Sequence, residues 1–345
     1  MKIFFTAEYD EEELKPLYQA GEVIKDGWAL GLPKMPEEEL MEKTRDVDMI
    51  ITSYDDITRN VIEHAENLKL IACTRATPVN VDMAAARERN IPVLYTPGRN
   101  SDSTAEMTIG LMLSAARKIP MAYKALKDGK YTGNTDVRKE TKDGLKADVI
   151  WDMKLDAPYM VFKGTQLKGK TLGILGYGSI GRRVGRIARA FGMELLVFDP
   201  FVGEVEIEEI GIRKAASVEE LMKESDFITC HMKVTPETTG IISRERIALM
   251  KPTAYFINAS RGAILDEAAL IEALRDRRIA GAAFDVYASE PIAGNHPYIT
   301  ELDNVVVTPH IAGATDDVLV NHTKQIVSDI KRFLKGEHLL YQYRY

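Results

Sequence analysis

The segment Thr171-Leu-Gly-Ile-Leu-Gly-Tyr-Gly-Ser-Ile-Gly181 decides the fold of this chain. Its apolar run, residues 172–175, predicts a buried parallel strand, and three glycines with Gly-x-Gly-x-x-Gly spacing follow directly. Residues 182–191 continue with helical periodicity, and a second apolar run ends at Asp199, eighteen residues after Gly181. A strand, a glycine turn, a helix and a terminal acid in this order are typical of a dinucleotide-binding unit.

Each glycine of this motif has its own physical task. Gly176 permits the tight turn, Gly178 lets the backbone approach a pyrophosphate, and Gly181 lets the helix pack closely on the strand. The pyrophosphate is expected at the free N–H groups of the helix N-terminus. Asp199 would accept hydrogen bonds from the adenosine ribose and repel a 2′-phosphate, which predicts NAD rather than NADP. The alternative is a structural turn in which Asp199 only ends a strand.

Length and charge exclude several classes of protein. A chain of 345 residues predicts two domains. A formal net charge of −7 argues against a nucleic-acid partner. No apolar run approaches the roughly 20 residues that span a bilayer, and no secretory leader is recognisable, so no membrane partner is expected.

The cysteines and histidines indicate the compartment and the absence of a metal. Cys73 and Cys230 lie within apolar runs, which is typical of buried thiols in a reducing compartment. The six histidines form no pair with metal-ligand spacing, and no Cys-x-x-Cys occurs. We therefore expect a cytoplasmic protein without a metal site.

Strands and helices alternate in two series, which predicts two parallel sheets flanked by helices. The first series has predicted strands at 1–6, 47–52, 68–73 and 93–95, with helices at 58–65 and 81–89. The second has six predicted strands, at 171–175, 195–198, 227–230, 254–258, 282–284 and 305–307. Six strands are the number expected of a full dinucleotide-binding sheet.

Two long helices connect the series. Residues 102–125 are predicted as one helix capped by Asp102 or Ser103, and residues 316–334 as an amphipathic helix that returns the chain to the first domain. The predicted substrate domain is therefore discontinuous, residues 1–102 and 314–345, with an NAD-binding domain at 103–313. Residues 133–166 lack periodicity and form a predicted insertion, either functional or a plain surface excursion.

Three predicted strands of the second series end in polar groups: Arg261, Glu290 and His310. The carboxyl ends of parallel strands share one edge of a sheet, where ligands bind. His310 suits a general base for an alcohol proton, Glu290 suits its supporting carboxylate, and Arg261 suits a clamp for a substrate carboxylate. Each residue alone has an ordinary structural interpretation, but their joint position favours dehydrogenase chemistry.

At these residues the chain resembles the D-isomer-specific 2-hydroxyacid dehydrogenases over nearly its whole length. The matching segments are Asn80-Val-Asp82, Thr96-Pro-Gly-Arg-Asn100, Ala105-Glu106, Gly176 to Gly181, Asp199-Pro200, Thr235-Pro-Glu-Thr238, Asn258 to Asp266, Asp285 to Pro291 and Thr308-Pro-His310. The resemblance implies an α/β protein with two doubly wound parallel-sheet domains: a Rossmann NAD domain inserted in a discontinuous, flavodoxin-like substrate domain.

The resemblance also implies the residues of the site. The catalytic set would be Arg261, Glu290 and His310. The cofactor would contact Thr104, Gly176, Gly178, Ser179, Ile180, Gly181, Asp199, Met232, Ala259, Ser260, Arg261, Asp285, His310 and Gly313. The substrate would contact the loop Arg75, Ala76 and Thr77, together with Arg261 and His310.

The departures from the family pattern bear on the substrate. Arg75 stands in a loop that is usually glycine-rich, Lys233 replaces a common proline, and Ser179 replaces the common arginine of the fingerprint. With Arg99, the basic residues Arg75 and Lys233 hint at a phosphoglycerate-like substrate or a sugar acid. No regulatory domain is expected after the final helix.

The predicted function is NAD-dependent hydride transfer between a D-2-hydroxy acid and its 2-keto acid, in a homodimer. Residues 102–125 and 133–166 are the interface candidates, by analogy with the family. Oxidation of formate or phosphite is disfavoured, since formate dehydrogenases carry glutamine in place of Glu290. A second alternative is an NAD-sensing, corepressor-like binding protein without physiological turnover.

Overall fold

The computed structural model describes residues 1–132 and 155–344. Their contacts divide the chain into two compact units, Met1–Ser101 with Ala314–Tyr345 (the first unit) and Asp102–Gly313 (the second unit). Among the described residues, no helix is both long and apolar enough to cross a membrane.

The strands and helices alternate along the described chain. Short 3₁₀ helices occupy Gly27–Leu30 and Gly262–Ile264. The strands are β1 Lys2–Phe5, β2 Glu22–Lys25, β3 Met49–Thr52, β4 Leu70–Cys73, β5 Val93–Leu94, β6 Thr171–Leu175, β7 Glu194–Phe198, β8 Arg213–Lys214, β9 Phe227–Cys230, β10 Tyr255–Asn258, β11 Gly281–Phe284 and β12 Val305–Val307. The helices are α1 Glu11–Tyr18, α2 Glu37–Thr44, α3 Arg59–His64, α4 Met83–Glu88, α5 Ser101–Ala116, α6 Ile119–Lys127, α7 Pro158–Val161, α8 Ser179–Ala190, α9 Glu204–Glu209, α10 Val218–Glu224, α11 Arg244–Ile247, α12 Glu267–Arg275, α13 Pro297–Thr300 and α14 Asp316–Leu334.

Among the described residues each unit has one parallel sheet, which confirms the predicted fold class. The first sheet has the order β2-β1-β3-β4-β5, the flavodoxin-like arrangement. The second has the order β12-β11-β10-β9-β6-β7-β8, the dinucleotide-binding order extended by one strand. Its order reverses beside β6, which leads into the glycine turn.

Two edge strands escaped the sequence prediction. β8 has only two residues, both basic, and β2 is a four-residue strand without a buried residue. Neither has the apolar run that marks a strand in sequence, because both lie at sheet edges. The predicted count of six strands in the second sheet is therefore wrong, since the described sheet has seven.

The single helix predicted for residues 102–125 is also wrong. The chain forms α5 and α6, separated at Lys118, whose φ of 51° is left-handed. Pro120 explains the break, since proline lacks the N–H that a continuing helix needs and its ring clashes with the preceding turn. α5 begins at Ser101, so both predicted capping residues, Asp102 and Ser103, lie in its first turn.

The predicted insertion at 133–166 falls mainly outside the described residues. Residues 133–154 belong to the part of the chain that the structure does not describe. The remaining stretch contains α7, a single helical turn.

Apolar side chains pack on both faces of the second sheet. Leu172 and Ile174 of β6 lie in one buried cluster, and Leu175 lies in the cluster on the other face. With both faces covered, the ends of the strands are where polar side chains can gather. The strands β6, β10, β11 and β12 run parallel, so the residues that follow them meet at one edge.

Candidate active site

His310 and Glu290 form a close pair at this edge. Nδ1 of His310 lies 2.6 Å from Oε2 of Glu290, and the two side chains remain 46% and 36% exposed. A carboxylate only accepts, so Nδ1 carries the hydrogen, and the lone pair of the neutral ring lies on Nε2. Nε2 makes no hydrogen bond within the described residues. The ring can therefore take up a proton at Nε2 while the carboxylate balances its charge.

The carboxylate of Glu290 is held in its ionised form. Burial acts to raise the pKa of Glu290, but the bond from His310 and the backbone N–H of Tyr287 outweigh it and lower the pKa below its usual range. Oε1 accepts from that N–H at 3.1 Å. The positive charge of Arg261 lowers the pKa of Glu290 further, so Arg261 lies within electrostatic reach of the pair.

The loop that carries His310 is fixed by Asp285, which is fully buried. Oδ1 of Asp285 accepts from the Thr308 hydroxyl at 2.6 Å and from the Ile311 N–H at 2.8 Å, and Oδ2 accepts from the Ala312 N–H at 2.7 Å. His310 itself has a left-handed φ of 55°. Such a backbone persists only where the surroundings impose it, and the three bonds to Asp285 do so.

Tyr287 ties the Glu290 loop to the His310 loop. Its hydroxyl donates to the carbonyl oxygen of Thr308 at 2.7 Å. Burial raises the pKa of Tyr287 to about 12, so the phenol keeps the hydrogen that this bond requires. One tyrosine thus connects the backbones that carry the base and its carboxylate.

Arg261 lies on a tight turn after β10. Asn258 shapes that turn, donating from Nδ2 to the Arg261 carbonyl at 2.9 Å and accepting from the Ser260 N–H at 3.0 Å. At Gly262 a Cβ would lie 2.1 Å from the carbonyl carbon of Tyr287, so only glycine permits this approach. The Arg261 turn therefore packs directly on the loop that leads to Glu290.

The glycine turn fits a dinucleotide. Gly176 has a φ of 87°, and a Cβ at Gly181 would lie 2.2 Å from the carbonyl oxygen of Gly176. At Gly178 a Cβ would meet no atom within 4 Å, which leaves that backbone open to a ligand. Gly178 is the N-cap of α8 and makes no side-chain hydrogen bond to that helix, so a phosphate can approach the positive end of the helix dipole at this turn.

Asp199 lies against this turn and is 9% exposed. Its Oδ2 accepts from the Tyr177 N–H at 2.7 Å, and its Oδ1 accepts from the Phe201 N–H at 2.8 Å. Each carboxylate oxygen has a second lone pair that a ribose hydroxyl can use. Asp199 thus braces the turn and remains suited to the predicted ribose contact.

The other predicted cofactor residues all lie in the second unit. Ser179, Ile180 and Gly181 form the first turn of α8, and Met232 borders Gly176. Ala259 and Ser260 precede Arg261 and are nearly buried, and Gly313 ends the His310 loop. Thr104 is a buried residue in the first turn of α5. Within the described residues no group of three or more His, Cys, Asp or Glu side chains could hold a metal.

The predicted substrate loop belongs to the first unit. Arg75, Ala76 and Thr77 follow β4, with Arg75 partly buried and the other two exposed. The guanidinium carbon of Arg75 lies 5.2 Å from the ring centroid of Tyr54, which follows β3. Arg75, which stands in a loop that is usually glycine-rich in the family, therefore places a cation on an aromatic ring at the carboxyl edge of the first sheet.

Several residues of these arrangements carry no local sequence signal. Tyr287 and Asn258 act through contacts between loops, which spacing along the chain does not predict. The bond between Arg99 and His322 joins residues that lie 223 positions apart. One signal was available: His322 occupies the apolar stripe of α14, four residues after Val318 and four before Ile326.

Known proteins resemble this chain along its length. The family model described as the NAD-binding domain of D-isomer-specific 2-hydroxyacid dehydrogenases matches residues 109–312. D-3-phosphoglycerate dehydrogenase from Methanocaldococcus jannaschii is 40% identical over 338 residues, which are 98% of this chain and 58% of that protein. Glyoxylate reductase from Thermococcus litoralis is 35% identical over 340 residues, 97% of this chain and 94% of that protein.

A solved structure shows the same architecture. The TT0316 protein from Thermus thermophilus superposes with a TM-score of 0.80 at 31% identity, with both chains covered completely. The chain thus spans less than two thirds of the first relative and nearly the whole of the other two proteins. The family model covers more than half of the chain and the relatives cover almost all of it, so the chain belongs to the D-isomer-specific 2-hydroxyacid dehydrogenases.

Proposed function

We propose that this chain transfers a hydride between NAD and C2 of a D-2-hydroxy acid, with the 2-keto acid as the oxidised partner. The observation that supports the proposal most is the pair of His310 and Glu290, 2.6 Å apart, with Nε2 of the imidazole unengaged among the described residues. The pair shares the edge of its sheet with the glycine turn. When bound, the nicotinamide supplies the acceptor or donor of the hydride.

In this proposal His310 moves the proton. During oxidation Nε2 takes the hydroxyl proton of the substrate, and Glu290 stabilises the imidazolium that forms. During reduction the imidazolium returns the proton to the carbonyl oxygen. The arrangement resembles other carboxylate–histidine pairs, in which the acid fixes the ring tautomer and does not take the proton itself.

Arg261 is proposed to bind and orient the substrate carboxylate. A planar guanidinium can donate two parallel hydrogen bonds to a carboxylate, which fixes the direction of C2 as well as its position. The backbone of the loop Arg75, Ala76 and Thr77 is proposed to donate further hydrogen bonds to the same substrate. Orientation of this kind accounts for a large part of the rate in many enzymes.

The proposed substrate carries a second polar or anionic group, as in a phosphoglycerate or a sugar acid. Arg75 and Arg99 support this, since neither forms an ion pair with a carboxylate of the described residues. Lys233, after β9, is a further exposed cation. The relatives named as D-3-phosphoglycerate dehydrogenases are in keeping with such a substrate.

A substrate panel tests the proposal. D- and L-2-hydroxy acids are offered with NAD⁺, and the corresponding 2-keto acids with NADH, while absorbance at the NADH band is followed. We expect turnover of D-acids and keto acids and none of L-acids, and Arg261→Ala should raise KM and lower kcat. Tight NADH binding without turnover of any acid would refute the proposal and favour the NAD-sensing alternative.

We also propose a cytoplasmic homodimer. α6 supports self-association, since Ile119, Tyr123 and Leu126 are 52%, 64% and 54% exposed on a helix that has no buried residue. Burying such side chains against a second copy would remove apolar area from water. Sedimentation measurements on the wild-type chain and on Tyr123→Glu test the homodimer, and a wild-type monomer at micromolar concentration would refute it.

The proposed cytoplasmic location is supported by the thiols of Cys73 and Cys230, which are free and buried, as is typical of a reducing compartment.

A further inference from the structure

A second cluster of charged side chains lies at the carboxyl edge of the first sheet and includes none of the groups assigned to proton transfer. Arg75 follows β4 and Arg99 follows β5. The Tyr54 ring lies beneath Arg75, and its centroid is 4.7 Å from that of Trp28. Two cations and two aromatic rings therefore gather where parallel strands end, which is where α/β sheets bind ligands.

Arg99 is held in an environment that does not favour its charge. Burial lowers the pKa of Arg99, the positive charge of Arg75 lowers it further, and Tyr54 acts in the opposite direction. No carboxylate of the described residues pairs with either guanidinium. Two like charges brought together without a protein counter-charge are costly unless an anion joins them.

His322 of α14 fixes the position of Arg99. Nη1 of Arg99 lies 3.1 Å from Nδ1 of His322, and Nε2 of His322 lies 2.8 Å from the backbone carbonyl of Glu8. A guanidinium only donates and a carbonyl only accepts, so Nδ1 is the acceptor and Nε2 carries the hydrogen. These partners define one neutral tautomer of His322.

The surroundings keep His322 neutral. The residue is 1% exposed, and burial lowers its pKa to about 4, with the carbonyl of Glu8 opposing and the charge of Arg99 adding to the shift. At neutral pH the ring is therefore a fixed acceptor for Arg99. The next residue toward the N-terminus, Asn321, holds the backbone as well, because its Nδ2 donates to the Arg99 carbonyl at 3.1 Å.

We propose that His322 is a positioning residue, which holds the guanidinium of Arg99 beside Arg75 so that the two cations bind a second anionic group of the substrate. The inference rests on the proposed function and names its substrate class: 2-hydroxy acids that carry a phosphate ester or a second carboxylate. Arg99 and Arg75 contact that group, whereas His322 acts only through Arg99.

Two substitutions of His322 separate its two hydrogen bonds. His322→Asn keeps an acceptor near the position of Nδ1, toward Arg99. His322→Gln keeps a donor near the position of Nε2, toward Glu8, and loses the acceptor. A merely structural role would make the two variants alike in kinetics. A positioning role predicts that only His322→Gln weakens the binding of doubly anionic substrates.

The kinetic test uses three D-2-hydroxy acids: one with a phosphate ester, one with a second carboxylate and one with neither. In His322→Gln we expect KM for the preferred doubly anionic acid to rise roughly tenfold to hundredfold, the range for losing a charge-assisted hydrogen bond. kcat, and KM for the singly charged acid, should stay within about twofold, and His322→Asn should retain most of the wild-type KM. The ratio of KM for the acid with a phosphate ester to KM for the acid with a second carboxylate identifies which anionic group the two arginines bind. Equal changes in KM for all three acids would overturn the proposal.

A binding measurement keeps the inference separate from the proposed activity. Inorganic phosphate should raise the unfolding temperature of the wild-type chain, and this shift should be lost in Arg99→Met, which keeps most of the side-chain volume. If the wild-type chain turns over no hydroxy acid but phosphate stabilises it through Arg99, only the proposed function fails. If hydroxy acids are turned over while Arg99→Met leaves both the phosphate shift and KM unchanged, the anion site fails alone.

Discussion

His310 and His322 stand in opposite environments at the carboxyl edges of two parallel sheets. His310 follows the last strand of the second sheet, is half-exposed and lies 2.6 Å from a carboxylate. His322 lies on a helix of the first unit, is buried and accepts from a guanidinium at 3.1 Å. Both rings have one nitrogen fixed by a charged neighbour, but the neighbours have opposite charge.

The surroundings of these two histidines decide whether the imidazole can both take up and release a proton. His310 lies against a carboxylate and is open to solvent, and its Nε2 is unengaged among the described residues, so a proton can reach that nitrogen and leave it again. A guanidinium and burial both oppose the imidazolium, so His322 remains neutral. The same side chain is thereby suited to proton transfer at one edge and to holding a cation at the other.

Replacing the exposed histidine should have the largest effect. His310→Ala removes the proposed base, and loss of general base catalysis typically lowers turnover by about 10²–10⁴-fold. NADH affinity, measured by fluorescence titration, should change little, because the glycine turn and Asp199 remain. Steady-state kcat with the best hydroxy acid measures the effect.

A matched control separates this role from a general effect of losing a histidine. His64 is exposed on α3, and its Nδ1 contacts the carbonyl of Asn60 in the same helix. His64→Ala should leave kcat unchanged within about twofold. If His310→Ala also kept wild-type turnover, the assignment of the base would be wrong.

The two edges also differ in how far sequence predicts them. The glycine spacing, Asp199 and the polar ends of β10, β11 and β12 are local patterns, and they predicted the second sheet and the residues proposed for chemistry. The pair of Arg99 and His322 has no such local pattern, since the helix that carries His322 returns after the whole second unit. Edge strands such as β8 were missed because short, exposed strands need no apolar run.

The buried histidine should instead make folding depend on pH. The pKa of His322 is about 4 in the folded chain, below its ordinary value of 6.5, so the unfolded chain binds more protons between these values. The stabilisation is fully present above pH 6.5 and is lost as pH falls toward 4. Between pH 7.5 and 5 the loss should be on the order of 2 kcal/mol.

Urea unfolding at these two pH values measures that loss. The partly buried His231, with a pKa lowered to about 3 by desolvation, acts in the same direction in every variant. Comparing the wild-type chain with His322→Gln therefore isolates His322, and the variant should lose less stability on acidification by about the predicted amount. An equal loss in both proteins would show that His322 is not a neutral buried group.

The glycine turn is the remaining difference between the two sheet edges, since its backbone is proposed to bind the phosphates of the cofactor at the second edge. Asp199 braces that turn through two backbone N–H groups and brings a negative charge to the predicted ribose site. Asp199→Asn removes the charge that would repel a 2′-phosphate, so the ratio of kcat/KM with NADP to that with NAD should rise at least about tenfold, or about 1.4 kcal/mol. Part of the change should come from weaker NAD binding, because the amide can accept at only one of the two positions. A wild-type preference for NADP would contradict the role given to Asp199 but leave the His310 pair untouched, since no bond joins Asp199 to that loop among the described residues.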